Sequence, residues 1–448
     1  MIWLEMLGWV IILLGVGVSI ALHEIGHLVP AKAFGVKVTQ YMVGFGPTVW
    51  ARLKGETEYG VKAIPLGGYI RMIGMYPPAK GADPTKLRAA TTGRWTTLVE
   101  DARKQSMDEI GPEDADRVFY KLPVRKRIVV MLGGPTMNLV LAFVMFAIIL
   151  CGIGTYQAPD GTVNVTTTIA RVVPCVPTEQ APSGALGPDG ACPTGSQQSP
   201  AAAGGIEPGD TIVSVNGTQT PTWDDVQAAI KASPQGDVVV KVERAGETIA
   251  LTVPMQTVTF QTTDADGTTA TVTRNFLGVS PGSVRETYPL SEVPAYMWGL
   301  TQRAVTTLVT LPVRLYDLAV STFTDQPRDP NGIVGPVGVG RLGGEIVALE
   351  DTPVLDKVAG VLGLIAGLNL FLFLFNLIPL LPLDGGHVAG ALWEAVKRRW
   401  ARLRHEPDPG PVDVAKALPV TYVVSIFLVS MGALVLVADL IEPITLGG

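Results

Sequence analysis

The 448-residue chain is 47% hydrophobic and 17% charged, with a mean hydropathy of +0.34. That balance is too apolar for an ordinary soluble enzyme, and a net charge of −6 argues against a nucleic-acid partner. Three cysteines, Cys151, Cys175 and Cys192, form no Cys-x-x-Cys metal pattern.

Ile2 to Leu22 is a run of 21 residues with one charge, Glu5. At about 1.5 Å per residue it spans one bilayer core. No Lys or Arg precedes Lys32, so the run lacks the basic start of a signal peptide. We therefore expect a retained first transmembrane helix. It runs directly into His23-Glu24-Ile25-Gly26-His27, which holds two of the four histidines in the chain. On a helix His23 and His27 share a face one turn apart. Two imidazoles at that spacing suit one Zn²⁺, with Glu24 beside them as general base. The bland alternative, two histidines satisfied at a helix end, leaves Glu24 unexplained.

Lys37 to Arg71 changes period. Tyr41 to Pro47 and Thr48 to Leu53 are expected as a strand pair around a Gly/Pro break, with further short strands at Tyr59 to Ile64 and Tyr69 to Met72. The segment is apolar enough to lie against the membrane. An open edge here, tested at Val61, Ala63 and Ile64, is expected to pair with an unwound substrate. Pro77 to Arg127 is polar, with an amphipathic helix expected near Trp95 to Ile110.

Ile128 to Thr155 carries no charge over 28 residues, a second span. Asn138 near its start suits helix packing better than the active site. Beyond Tyr156 the composition becomes that of a water-exposed domain. Ile169 to Val173 is an expected strand, followed by a Pro/Gly/Ser-rich insert with Cys175 and Cys192. Thr211 to Gly217 alternates and closes in an Asn-Gly turn. Trp223 to Ala232 is an expected helix, and Asp237 to Glu243 and Thr248 to Val253 are expected strands. Pro200-Ala201-Ala202, Gly205-Ile206-Glu207-Pro208-Gly209-Asp210 and Val215-Asn216-Gly217 together resemble the bacterial PDZ domain, a peptide-binding module.

Thr287 to Phe323 is expected as membrane-lying amphipathic helices broken at Pro294 and Pro312. Val358 to Leu383 is 26 uncharged residues, a third span. Its second half, Asn376-Leu377-Ile378-Pro379-Leu380-Leu381-Pro382-Leu383-Asp384-Gly385-Gly386-His387, carries two prolines that break a helix. A broken helix at membrane depth needs a polar cavity, so Asn376 and Asp384 should line one. Leu418 to Ala438 is a fourth span.

Charge sets the topology. Lys32 to Arg127 carries 17 Lys/Arg, and Asp384 to Ala417 carries six in 34 residues, whereas Tyr156 to Asp356 carries ten in 201. The first two segments are expected inside, and the PDZ-like domain and both termini outside. His23, His27 and Asp384 then fall at one depth. Asp384 is the expected third zinc ligand, ahead of His387, because an ionised carboxylate in a broken membrane helix otherwise lacks a partner.

His-Glu-x-x-His in the first span, Asn376-x-x-Pro379 and Leu383-Asp384-Gly385-Gly386 in the third, and an intervening PDZ domain resemble the site-2 proteases, in their bacterial PDZ-bearing branch. The resemblance covers nearly the whole chain. Gly44-Phe45-Gly46 resembles the family's membrane-associated β-region, and Gly133-Gly134-Pro135-Thr136-Met137-Asn138 its motif in the second span. It implies an intramembrane zinc metalloprotease of regulated intramembrane proteolysis. Single-span substrates such as anti-sigma factors or signal-peptide remnants, already cut by a site-1 protease, go with it, in a bacterial plasma membrane whose lipid is a further partner. In that reading Gly44, Phe45, Gly46, Asn376 and Pro379 bind substrate. Pro382 falls one residue later than the family's usual second proline.

The expected fold is therefore a polytopic α-helical membrane protein with four transmembrane helices, a membrane-associated β-region and an extracytoplasmic α+β PDZ-like domain. The expected segments are 1–31, 32–76, 77–127, 128–155, 156–282 (PDZ-like), 283–356, 357–396, 397–417 and 418–441. Cys175 and Cys192, in an oxidising compartment, are expected to form a disulfide. A transporter would explain Asn376 and Asp384 but not the full catalytic set. An inactive PDZ scaffold would have no use for Glu24.

Overall fold

A computed structural model describes residues 2–77, 99–100, 106, 110–177, 186, 191–193, 195–263, 269–324, 326–330, 332–350 and 352–445. The chain divides into two units, residues 1–153 with 289–448, and residues 154–288.

The first unit is a bundle of apolar helices. Helix α1 is Ile2–Ala33. It continues past the His-Glu-x-x-His motif, so the motif sits inside the helix rather than at its end. Strands β1 (Val38–Lys54) and β2 (Thr57–Met72) follow. Each is one long bent strand where two short ones were expected, because Gly44, Gly46 and Gly67 take positive φ and let the chain turn without leaving the ladder. Residues 38–43 pair with 57–61 on one side and with 68–72 on the other, and 48–54 pair with 57–62. Four segments result, in the order 68–72, 38–43, 57–62, 48–54; the two outer pairings are antiparallel, and 40–43 runs parallel to 58–61. The stretch Tyr59 to Val61 is thus paired on both sides, contrary to the expected open edge at Val61. Among the described residues the edges are Gly68–Met72 and Thr48–Lys54. The helix expected near Trp95 to Ile110 lies largely outside the described residues.

Helix α2 (Val124–Ala147) ends in a π-helical turn, Ile148–Ile153. It packs against α1 through Gly26 and Gly133, where a Cβ on either residue would collide with the other's backbone. After the second unit, α5 (Val293–Phe323) is one continuous helix. This corrects the expected breaks: Pro294 sits in the first turn, where no donor is needed, and Pro312 is accommodated inside. Helix α6 (Pro336–Ala348) was not expected; its Gly343 and Gly344 pack on Ile12 and Glu5 of α1. Asp439 accepts from the Gly335 and Gly338 N–H groups at the start of α6 and pairs with Arg328. Helix α7 (Val354–Asn376) stops at Asn376, turns follow through the two prolines, and α8 (Asp384–Leu403) begins on Asp384. Helix α9 is Leu418–Ile441.

Among the described residues five helices, α1, α2, α5, α7 and α9, are long and apolar enough to cross a membrane by length and composition, one more than the expected four. The addition is α5, with its extension from Leu290.

The second unit holds β3 (Val165–Val172), a short helix α3 (Pro200–Ala203), β4 (Thr211–Val215), β5 (Thr218–Gln219), α4 (Trp223–Ala232), β6 (Gly236–Arg244), β7 (Glu247–Thr263), β8 (Thr269–Phe276) and β9 (Val279–Ser283). The sheet order is β8-β7-β6-β4-β3-β9, with β5 beside β4. Val238, Val240 and Val242 alternate inward on β6 and join Ile169, Ile212, Val226 and Val253 in one core. Thr222 and Asp225 form a capping box that starts α4. Asp210 is buried and accepts from Arg244 Nε at 2.7 Å and Nη2 at 2.8 Å; the guanidinium holds the carboxyl below its usual range. The β7–β8 hairpin and β9 were not expected.

Cys175 and Cys192 are disulfide-bonded with Cα atoms 5.6 Å apart, and Cys151 is free. Closing a 17-residue separation stabilises by about 3 kcal/mol in the chain-entropy model. Peptide mapping of non-reduced protein should recover the 175–192 linked pair and alkylate only Cys151. Alkylation of all three thiols would contradict the bridge.

Candidate active site

His23 and His27 stand one turn apart on α1, and the break between α7 and α8 delivers Asp384 to the same point. His23 Nε2 and His27 Nε2 are 3.2 Å apart, and Asp384 Oδ2 lies 3.5 Å from the first and 3.4 Å from the second. These are the three donors that the described residues bring together as a metal cage. Zinc bonds of about 2.0–2.1 Å in a tetrahedron require donors about 3.3 Å apart, so the spacing fits zinc. His27 Nδ1 lies 2.8 Å from the Val130 carbonyl of α2. That contact makes Nδ1 the donor and leaves the Nε2 lone pair free toward the cage.

The wall behind the cage is Gly134. A Cβ there would fall 2.7 Å from His23 Nε2 and closer still to His27 Nε2. Glycine is thus required for space. Gly134→Ala should lower retained zinc by about tenfold or more while leaving the helical circular dichroism unchanged. Wild-type zinc content after dialysis would contradict the geometry.

Glu24 is 7% exposed and packs beside Gly68, whose Cβ would lie 2.9 Å from Glu24 Cγ. Gly68 belongs to the edge segment of β2, which therefore runs directly past this group. Tyr41 donates from its hydroxyl to the Ala21 carbonyl at 2.8 Å and ties β1 to α1. Burial, with the charge of Glu24 added, pushes this phenol up to about 12, so it stays a donor at neutral pH.

A cleft of about 300 Å³ opens over these groups. It is lined by His23, Glu24, His27, Asn376 and Asp384 from the expected set, and by Pro382 and His387. Gly68, Tyr69, Ile70, Met72, Met75 and Met131 complete the wall; none of these six was singled out from sequence. Pro379, Gly44, Phe45 and Gly46 do not line the cleft. Phe45 instead stacks on Tyr69 at 6.2 Å, one residue removed from the wall. Asn138 is 1% exposed and also stands off the cleft wall.

A buried charged pair locks the helix that carries Asp384. Glu394, ten residues along α8 and fully buried, accepts from Arg127 Nη2 of α2 and from the Val412 N–H at 2.9 Å. The arrangement can therefore hold a divalent cation rigidly, place a carboxylate next to it, and admit an extended chain along an unpaired strand edge.

Comparison with known proteins agrees with this chemistry. Residues 11–407 match the model of peptidase family M50. The chain is 33% identical to zinc metalloprotease Rip1 of Mycobacterium tuberculosis, covering 98% of both chains. It is 27% identical to metalloprotease MmpA of Caulobacter vibrioides, covering 88% of this chain and 89% of the other. It is 25% identical to zinc metalloprotease RasP of Shouchella clausii, covering 85% and 88%.

Proposed function

The chain belongs to peptidase family M50, and from this we propose how its residues divide the work of an intramembrane zinc metalloprotease in regulated intramembrane proteolysis. It is a multi-pass membrane protein with a zinc cofactor. The observation that carries the assignment of roles is the triangle of His23, His27 and Asp384 donors beside a buried Glu24.

In this proposal His23, His27 and Asp384 hold the metal, and His387 lines the cleft without binding it. Zinc there supplies Lewis-acid polarisation and makes water nucleophilic near neutral pH. Glu24 takes the proton of the attacking water and returns it to the leaving amine nitrogen. The Asn376 carboxamide, at the end of α7, hydrogen-bonds the substrate backbone near the scissile bond. The Pro379 and Pro382 break keeps Asn376 and Asp384 on turns rather than on a sealed helix. Gly44, Phe45 and Gly46 act at one remove, by bending β1 and backing Tyr69.

A helical substrate must unwind before attack. The segment Gly68–Met72 is the edge that borders the cleft, and its outward N–H and C=O groups pair with the unwound chain. A benzoylphenylalanine at Tyr69 in a Glu24→Gln background should crosslink a single-span substrate. The same label at Trp50, on the far edge, should give at most about a tenth of that yield. Equal yields would contradict presentation by this edge.

Four spans, α1, α2, α7 and α9, account for the positive-inside distribution, with both termini and residues 154–288 outside and the cleft toward the cytoplasm. Helix α5 is about 46 Å long. Tyr296 near its start stacks against Phe146 at the end of α2. Leu315 and Leu318 near its other end pack on Val435 and Ala438 at the end of α9. Both of its ends therefore meet the outer ends of spans, which supports a helix lying along the outer face.

Residues 154–288 fit a PDZ-like module that either holds back substrates with bulky outer domains or receives a newly cut end. Substrates of this class are single-span proteins such as anti-sigma factors, trimmed first by a site-1 protease, in a bacterial plasma membrane. Zinc content measured together with cleavage of a single-span substrate by wild type and Glu24→Gln tests the assignment.

A further inference from the structure

Helix α8 presents two contrasting faces. Asp384, Ala391, Glu394 and Ala401 turn toward the protein. Asp384 meets His27, and Glu394 meets Arg127 near the first residue of α2. The helix therefore descends along α2 from the metal cage to the level at which that span begins.

The opposite face carries Leu392, Trp393, Val396, Trp400 and Leu403, which are 52–68% exposed. At about 100° per residue these five fill an arc of roughly 100°. Exposed cations border the arc on both sides, Arg399 on one and Lys397 and Arg404 on the other, and Arg402, also exposed, stands further round in the last turn. Lys397 Nζ lies 5.5 Å over the Trp393 ring, and Arg404 Cζ lies 4.6 Å over the Trp400 ring. The rings thus hold two of the charges at the margin of the apolar stripe.

Water alone does not suit a stripe with two tryptophans and three aliphatic side chains. Acyl chains alone do not suit three bordering cations with a fourth close by. The boundary between acyl chains and anionic headgroups suits both, with the apolar side chains inserted and the cations beside phosphates. Tryptophan favours that boundary for the same reason.

We propose that this face of α8 docks on anionic lipid headgroups of the inner leaflet through Lys397, Arg399, Arg402 and Arg404. The proposal rests on the reading above only in that α2 and α7 cross the bilayer and α8 emerges on the basic, inner side. Its consequence is mechanical. The lipid contact holds one end of the helix, the Glu394–Arg127 pair holds its middle, and Asp384 in its first turn is kept at the depth of His23 and His27.

The test uses the full chain in nanodiscs containing brominated lipid, either zwitterionic phosphatidylcholine or anionic phosphatidylglycerol, at equal mole fraction. Trp393→Phe/Trp400→Phe is the reference that isolates the fluorescence of these two rings. Both brominated lipids should quench the pair, with phosphatidylglycerol stronger by about twofold or more. That preference should vanish in high salt and in Lys397→Gln/Arg399→Gln/Arg402→Gln/Arg404→Gln. No quenching by either lipid would overturn the proposal and point to a protein partner on this face. Equal, salt-independent quenching would overturn the anionic preference. The salt titration of the wild-type chain decides the matter even where the fourfold variant fails to fold. Zinc content is read in the same samples, so failure of the lipid contact and failure of the metal-site reading give different results.

Discussion

Glu24→Gln is expected to keep its zinc and lose about 10²–10⁴ of its turnover. The substitution preserves shape and hydrogen-bonding capacity but removes the base. The carboxylate is 7% exposed and sits between the cage and the edge of β2, so bulk water has little access to substitute for it. Metal analysis and single-turnover cleavage of a single-span substrate check it. Loss of zinc would make Glu24 a ligand instead of a base, and retained turnover would remove it from the chemistry.

Asp384→Asn is expected to empty the cage. A neutral amide is a far weaker zinc donor than a carboxylate, and the two imidazoles that remain do not complete a catalytic site. Retained zinc after dialysis should fall by about tenfold or more, with turnover lost in step. His387→Asn should retain zinc, because Asp384 Oδ2 already closes the triangle with both imidazoles. The reverse order of the two variants would place His387 in the cage.

The meeting of His23, His27 and Asp384 was legible in the sequence because it rests on local rules. Helical spacing fixes His23 against His27, and hydropathy with charge brings Asp384 to the same depth. The proline pair after Asn376 announced the break that α7 and α8 show. Helix α4 was equally legible, since Thr222 and Asp225 cap it and Gly appears nowhere in it.

What stayed hidden depends on tertiary partners. The pairing of 38–43 with both halves of β2 is a choice among registers that alternation alone does not settle, so the open edge was placed at Val61 instead of Gly68–Met72. The need for Gly134 follows from where two imidazoles on another helix point. The continuity of α5 through Pro312 overrides a strong local signal. Arg127 and Glu394 lie 267 residues apart in sequence, and neither marks itself as one half of a buried pair.

Zinc K-edge X-ray absorption on the purified, zinc-loaded chain tests the central assignment most directly. The account predicts two imidazole nitrogens and carboxylate oxygen at about 2.0–2.2 Å and no sulfur, with the zinc edge itself reduced about tenfold or more in dialysed Asp384→Asn. Three imidazoles, or a sulfur at about 2.3 Å, would contradict it.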